Sequence, residues 1–190
     1  ERKLPTRALK IRPGEDPHPP RLHHPDWAEP IPLPGPINTA GGEDSPFITA
    51  DGRELYFFFT PDVSRPAEEQ LGDGMTGIYR ARKTSRGWND VQRVVLSEGP
   101  ALDGCPFVLG DQLWFCSARP GQTGVGWFQA QRTGETWGRW QPATFPDRYQ
   151  VGELHISADG RSLYFGSSRP GSLGASDLWV SRRNDSTWSE

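Results

Sequence analysis

Residues 152–183, GELHISADGRSLYFGSSRPGSLGASDLWVSRR, decide the fold of this chain. The stretch predicts a strand, a tight Asp-Gly turn, a second strand, a glycine-rich loop and a third strand. Two related copies precede it, one that starts at Glu43 and one that starts at Asp103. A self-similar unit of about 50 residues with three or four short strands is typical of a propeller blade.

The repeat has a regular period and a strand pattern that fits a blade. Four tryptophans recur at spacings of 61, 49 and 51 residues: Trp27, Trp88, Trp137 and Trp188. The second strand of each copy (LYFFF, LWFCS and LYFGS) is almost continuously apolar or small. Strands that are covered on both faces have this pattern, and a blade lies between two others. We therefore predict an all-β fold, a β-propeller with about three visible four-stranded antiparallel blades.

The sequence divides into an arm and a run of blades. Residues 1–26 are rich in proline and charge and predict an extended arm, whereas residues 27–190 carry the propeller pattern. Residues 61–76 are an insertion, which we expect to be a solvated loop. The predicted parts of the propeller are a closing strand and linker at 27–42, blade 1 at 43–96, blade 2 at 103–143, and blade 3, with an incomplete outer strand, at 151–190.

Composition and motifs argue against several functional classes. The net charge is -3 and the 18 arginines are spread singly, so we predict no nucleic-acid partner. No stretch approaches the ~18 apolar residues of a membrane span. The chain has no phosphate-binding glycine loop, and His18, His23 and His24 have no Cys or carboxylate at ligand spacing. We therefore predict no cofactor and no metal site.

The two cysteines of the chain fall in blade 2. This blade has a shortened first turn, Gly-Asp at residues 110–111. Counting outward from that turn along both strands places Cys105 opposite Cys116. A disulfide between them would fit an oxidising compartment. Two buried free thiols are the alternative, because cysteine is among the most buried residue types.

The repeat resembles the WD40-like repeat of TolB-type bacterial propellers. The third copy carries the marks of that repeat at Asp159-Gly160, at Ser168-Arg169-Pro170-Gly171 and at Asp177-Leu178-Trp179. The second copy lacks the Asp-Gly turn, and the first copy lacks the Ser-Arg-Pro-Gly loop. The resemblance covers residues 27–190. It implies a bacterial propeller that is exported to the periplasm or beyond.

The resemblance also bears on how the ring is completed. Rings of this class usually have five to eight blades, and three are visible here. We favour an N-terminal part of a longer propeller, whose residues 27–33 would close the ring on its last blade. The alternative is a homo-oligomer in which several copies complete one ring.

The functional end of a propeller is its central funnel, which is lined by the starts of the innermost strands. We predict that these candidate residues lie there: Glu43, Asp44, Asp103, Glu153 and His155. A ring of carboxylates could act as acid and base on a glycosidic bond, or bind a cation or sugar hydroxyls. His155 could add a proton donor near neutral pH. The competing interpretation is a structural role that recurs in every blade, such as pairing with an arginine.

We favour a binding or scaffold module for an unidentified protein or glycan, with no catalytic residue assigned. The alternative is a carbohydrate-active enzyme that uses the funnel carboxylates. Carboxylates that converge within about 5–10 Å around an open pocket would favour the enzyme. Carboxylates that are tied separately to backbone groups or arginines would favour the binding module.

Overall fold

The computed structural model describes residues 24–121, 124–143, 151–185 and 187–189. These residues form three four-stranded antiparallel sheets that follow one another along the chain. Blade 1 contains β1 (Gly42–Ile48), β2 (Glu54–Thr60), β3 (Gly77–Thr84) and β4 (Gly87–Arg93). Blade 2 contains β5 (Leu102–Leu109), β6 (Gln112–Ala118), β7 (Gly126–Thr133) and β8 (Thr136–Pro142). Blade 3 contains β9 (Leu154–Ile156), β10 (Ser162–Ser167), β11 (Asp177–Asn184) and β12 (Thr187–Trp188).

The predicted all-β propeller fold is confirmed, with three blades of four strands in simple up-and-down order. The predicted arm lies almost wholly outside the described residues. Residues 27–33 form no strand with any described part of the chain, and Trp27 is 73% exposed. Their role as a closing strand stays a prediction.

The Ala-Asp-Gly-Arg turns form as the sequence predicts. The Asp51 carboxylate accepts hydrogen bonds from the Thr49 hydroxyl at 2.7 Å and from the Arg53 backbone N–H at 3.0 Å. Asp159 makes the equivalent pair of bonds in blade 3. These bonds, the hydroxyl bond foremost, lower the pKa of both aspartates. Gly52, which follows Asp51, has φ of 69°, a conformation that glycine adopts without strain.

The insertion at residues 61–76 contains one short helix, α1 (Ala67–Leu71), where we expected loop alone. None of its residues is buried. After the helix, Asp73 closes the segment by accepting hydrogen bonds from the backbone N–H groups of Met75 and Thr76, both at 2.7 Å. Within the described part of the chain, no helix is long and apolar enough to span a membrane.

The core consists of blade faces packed on one another. We call the face of blade 1 that carries Tyr56 and Ile78 its forward face, and the opposite face, which carries Leu55 and Phe57, its rear face. The forward face of blade 1 packs on the rear face of blade 2, in a cluster that includes Phe115. Both faces of a central blade are therefore buried, which explains the continuously apolar second strands.

The second blade interface repeats this arrangement. On the forward face of blade 2, Phe107 and Trp114 pack against the rear face of blade 3, which presents Ile156, Leu163 and Phe165. Each blade thus contributes two different surfaces, and neighbouring blades always join a forward face to a rear face. The burial of large aromatic and aliphatic side chains at both interfaces is the main source of stability.

The forward face of blade 3 is exposed in this chain. Cross-strand pairing places Val180 beside Tyr164, as it places Arg80 beside Tyr56 in blade 1. Leu178 is the equivalent of Ile78, yet it is 78% exposed whereas Ile78 is fully buried. The same positions are therefore covered in blade 1 and open in blade 3.

The inner strands of blades 1 and 2 each contain a β-bulge. The register shifts between Asp44 and Phe47 in β1, and between Gly104 and Phe107 in β5. The strand pairing counted from the turn of blade 2 is correct as far as Phe107, which lies opposite Trp114. Beyond Phe107 the bulge adds one residue to β5, so the pairing shifts by one. The predicted direct pairing of the two cysteines is therefore wrong, because Cys116 lies opposite Gly104.

Matched truncations test the blade packing. We expect Ile78→Ala to lower the free energy of unfolding by about 2–5 kcal/mol, because it removes a fully buried side chain. Leu178→Ala, at the equivalent and exposed position, should change it by no more than about 0.5 kcal/mol. Urea denaturation of both variants measures the difference. Equal losses would contradict the exposed face and would indicate that a second copy covers blade 3 in solution.

Candidate functional site

The first two predicted funnel carboxylates are bonded to nearby residues of blade 1. The Glu43 carboxylate accepts a hydrogen bond from the Thr39 backbone N–H at 3.2 Å and another from the Thr39 hydroxyl. The Asp44 carboxylate is exposed and accepts a hydrogen bond from the Ser45 backbone N–H at 2.7 Å. Both groups thus stabilise the start of β1.

The third predicted carboxylate, Asp103, is buried in an ion pair. It lies 3.2 Å from the Arg119 guanidinium, and the two side chains are only 9% and 8% exposed. Burial is the main cause that raises the pKa of Asp103, and the charge of Arg119 opposes this effect. The guanidinium in turn lies 4.0 Å from the ring centroid of Trp140 and 4.9 Å from that of Phe128. This buried pair fits the structural role of pairing with an arginine, the competing interpretation of the carboxylates.

The predicted carboxylates of the three blades do not all occupy one position in the repeat. Glu43 and Asp103 occupy equivalent positions, because Glu43 pairs with Phe59 of β2 and Asp103 pairs with Ser117, the corresponding residue of β6. Glu153 lies two residues further along its inner strand, at the bulge position that Ser45 and Cys105 occupy. A Glu153 oxygen lies 3.4 Å from the Cys105 thiol of blade 2.

His155 has a packing role. Its ring meets the Phe107 ring edge to face, with centroids 5.1 Å apart. Phe107 meets Phe47 of blade 1 at 4.6 Å. The equivalent ring of each blade therefore joins one row that crosses all three inner strands. Among the residues that the structure describes, no group of three or more His, Cys, Asp or Glu side chains is arranged to hold a metal ion.

A groove of about 740 Å³ opens between blades 1 and 2, away from the predicted funnel residues. It lies at the end where the β1–β2, β3–β4 and β7–β8 turns meet. Its volume is in the range of ligand pockets in proteins. Charged side chains of both signs dominate its lining. The lining residues are Thr49, Ala50, Asp51, Arg53, Glu54, Arg82, Lys83, Val108, Leu109, Gly110, Arg132 and Glu135.

Two of the lining residues, Glu54 and Arg132, belong to a network that we call the Glu54 cluster: Glu54, Tyr56 and Arg80 of blade 1 with Arg132 and Trp137 of blade 2. The Glu54 carboxylate accepts hydrogen bonds from Arg132 at 2.7 Å and from the Tyr56 hydroxyl at 3.0 Å. Arg80 lies 3.3 Å from the second carboxylate oxygen. The indole N–H of Trp137 donates to the Tyr56 hydroxyl at 3.3 Å. The cluster thus joins the two blades through charged hydrogen bonds.

The electrostatics of the cluster keep Glu54 ionised. Burial by itself would raise the pKa of Glu54, but the hydrogen bonds from Arg132 and Tyr56 outweigh it and lower the pKa below its usual 4.5. Burial and the nearby Glu54 charge raise the pKa of Tyr56, so the phenol stays protonated. The wall therefore presents a fixed pattern of charge to whatever occupies the groove.

The mouth of the groove carries more exposed charges. Glu135, which is 77% exposed, pairs with Arg82 across the two blades. The Lys83 ammonium lies 4.8 Å from the centroid of the Trp88 ring. The Arg53 side chain projects from the β1–β2 turn and is 82% exposed. Arg53 and Lys83 are therefore positioned to meet an incoming ligand.

The sequence interpretation missed this groove. The signal that could have revealed it is Arg80, which stands between Tyr79 and Ala81 in the first five residues of β3, all of which are buried. A buried guanidinium requires a carboxylate partner. Arg132, however, lies 78 residues from Glu54, and no local pattern links the two.

Neutralising Glu54 should weaken the blade interface. We expect Glu54→Gln to lower the free energy of unfolding by about 2 kcal/mol near neutral pH, because Arg80 then lacks its buried counter-ion. A carboxylate whose pKa is lowered on folding stabilises the protein above its unfolded pKa, and this contribution is lost as the pH falls through the folded pKa. The difference between wild type and variant should therefore shrink below pH 4.5.

Urea denaturation over a pH series measures this effect, with Glu135→Gln as the matched control. Glu135 is an exposed carboxylate at the same interface, so its neutralisation should cost less than about 1 kcal/mol. Equal losses in the two variants, or a Glu54→Gln loss that does not change with pH, would contradict the proposed charge network.

Comparisons with known proteins leave the family open. No protein-family model matches the chain. No curated protein matches it either. A solved structure from a study of two prolyl endopeptidases is similar, with a TM-score of 0.47 and 17% identity over 75% of this chain. The match spans 18% of that chain. The propeller assignment therefore rests on the three sheets of this protein, and the TolB-type resemblance stays a prediction.

Proposed function

We propose that this chain is a binding module of TolB-like type that holds an extended protein segment in the groove between blades 1 and 2. The observation that supports this most directly is the groove itself, about 740 Å³ in volume and walled by charged side chains. The Glu54 cluster holds that wall in place before any ligand arrives. Preorganised polar groups reduce the cost of ordering on binding.

The character of the lining favours a protein segment over a glycan. Cations and carboxylates both line the groove, which suits a peptide that carries both signs of charge. Sugar rings bind commonly by stacking on aromatic faces, and the lining contains no aromatic residue. The Arg53 and Lys83 side chains at the mouth would donate hydrogen bonds to backbone carbonyls and carboxylates of a peptide.

The enzyme alternative has weaker support. Glycoside hydrolysis needs two carboxyl groups that flank one bond, one of them a proton donor with a raised pKa. Among the predicted funnel residues, Asp103 has a raised pKa, but it is buried against Arg119. Glu43 is bonded to Thr39, which precedes β1, and Asp44 is bonded to Ser45 within β1. The predicted carboxylates are thus occupied separately, which is the outcome that favours a binding module.

The proposal includes export to the periplasm or the cell exterior. Its support is the resemblance of residues 152–183 to TolB-type repeats, whose propellers are exported. Assembly of several copies into one ring also stays a prediction, and the exposed forward face of blade 3 is compatible with it.

Peptide and glycan arrays probed with the purified chain test the proposal. We expect hits on the peptide array, and we expect Arg53→Glu and Lys83→Glu each to weaken binding to those hits about tenfold, the effect of ~1.4 kcal/mol. Arg161→Glu is the matched control, because Arg161 occupies the equivalent turn of blade 3 and does not line the groove. It should leave binding unchanged.

Two outcomes would overturn the proposal. Hits confined to the glycan array, or peptide hits that lose equal affinity with Arg161→Glu, would place binding elsewhere. Hydrolysis of p-nitrophenyl glycosides that Glu153→Gln abolishes would establish the enzyme alternative.

A further inference from the structure

The two thiols of the chain meet on the inner strands of blade 2. The Sγ atoms of Cys105 and Cys116 lie 2.7 Å apart, and both residues are free cysteines. The bulge at Cys105, with φ of 50°, brings its side chain beside Cys116 although Gly104 is the cross-strand partner. A Cβ at Gly104 would lie 3.5 Å from the Cys116 sulfur, an ordinary contact distance, and 3.3 Å from the Phe58 ring of blade 1.

The thiol pair is not part of the structural repeat. In blade 1 the equivalent positions hold Ser45 and Phe58, and in blade 3 they hold Glu153 and Gly166. All three blades fold with these different residues, so the blade does not need a cysteine at either position. A role that recurs in each blade therefore does not explain this pair.

The adjacent blade supplies a carboxylate to the pair. An oxygen of Glu153 accepts a hydrogen bond from the Cys105 thiol at 3.4 Å. The titratable groups that act on Cys105 are Cys116 of β6 and Glu153, which precedes β9. The neighbouring Cys116 thiol is the main cause that raises the pKa of Cys105, followed by burial and the negative charge of Glu153. Both thiols are half-buried, so a small reagent can reach them.

We propose that Cys105 and Cys116 form a redox-active dithiol, which closes to a disulfide by exchange with a small-molecule disulfide at a rate that Glu153 restrains. One thiolate attacks the reagent RS–SR, forms a mixed disulfide and releases RS⁻. The second thiolate attacks the mixed disulfide, forms the Cys105–Cys116 bond and releases the other RS⁻. The protein loses two electrons and two protons, and the reagent is reduced to two thiols.

Closure of the disulfide would change the contact between blades 2 and 3. The reduced Cys105 donates its S–H to Glu153, whereas a disulfide sulfur has no hydrogen to donate. Oxidation would therefore release the Glu153 carboxylate from blade 2. The dithiol thereby couples the redox state of the surroundings to one contact near the predicted funnel.

Mass spectrometry of the folded chain after incubation with oxidised glutathione tests the dithiol. We expect the wild type to lose two hydrogens and to retain no glutathione, because the second thiol displaces it. Cys105→Ser and Cys116→Ser should each retain one glutathione. Wild type that keeps glutathione on either cysteine, or thiols that react only in urea, would overturn the proposal whether or not the variants fold.

The restraint by Glu153 is tested by the rate of reaction with oxidised glutathione over a pH series. Glu153→Gln removes the negative charge next to Cys105, so we expect a rate about threefold higher at neutral pH and a profile shifted to lower pH. Asp44→Asn is the control, because this exposed carboxylate is bonded within blade 1. A Glu153→Gln profile identical to that of the wild type would refute the restraint.

Discussion

The packing of one blade's forward face on the next blade's rear face is the contact on which the rest of the structure depends. A single four-stranded sheet of this size cannot bury its two apolar faces alone. Tyr56 and Ile78 are buried because blade 2 covers them, and Phe115 of blade 2 is buried because blade 1 covers it. Since both interfaces join the same two kinds of face, each blade is fixed in orientation relative to its neighbour.

This packing also explains where the candidate site lies. Two apolar faces meet in the middle of the sheets, but at their turn end the strands begin with polar residues such as Glu54. Burial there would be costly without charge compensation, and Arg80 and Arg132 supply it from both blades. Glu54 and Arg132 also line the charged groove between the two blades. The binding site we propose therefore lies where charged residues replace apolar ones at the turn end of the interface between blades 1 and 2.

Much of the fold was predictable because its signals are local. The Asp51-Gly52 turn closes through hydrogen bonds within five residues, and the apolar run that begins at Leu55 marks a covered strand. The bulge at Cys105 was not predictable from the turn register, because counting from the turn assumes that each residue has one partner and a bulge breaks that rule. Counting along the strands therefore placed the cysteines one residue out of register.

The candidate site was less predictable, because its contacts join residues that are distant in sequence. Glu54 and Arg132 belong to different blades, and neither stands out in a sequence with 18 dispersed arginines. The roles of the predicted carboxylates depend on neighbours that the sequence does not reveal, such as Arg119 for Asp103.

A double-mutant cycle between Glu54 and Arg132 tests most directly whether charge across the blade interface holds the groove. The cycle combines Glu54→Gln and Arg132→Met, singly and together, with the free energy of unfolding from urea denaturation at neutral pH. We predict a coupling energy of about 1–3 kcal/mol, as expected for residues in one buried network. A coupling energy near zero would contradict the charge network and, with it, the preorganised groove.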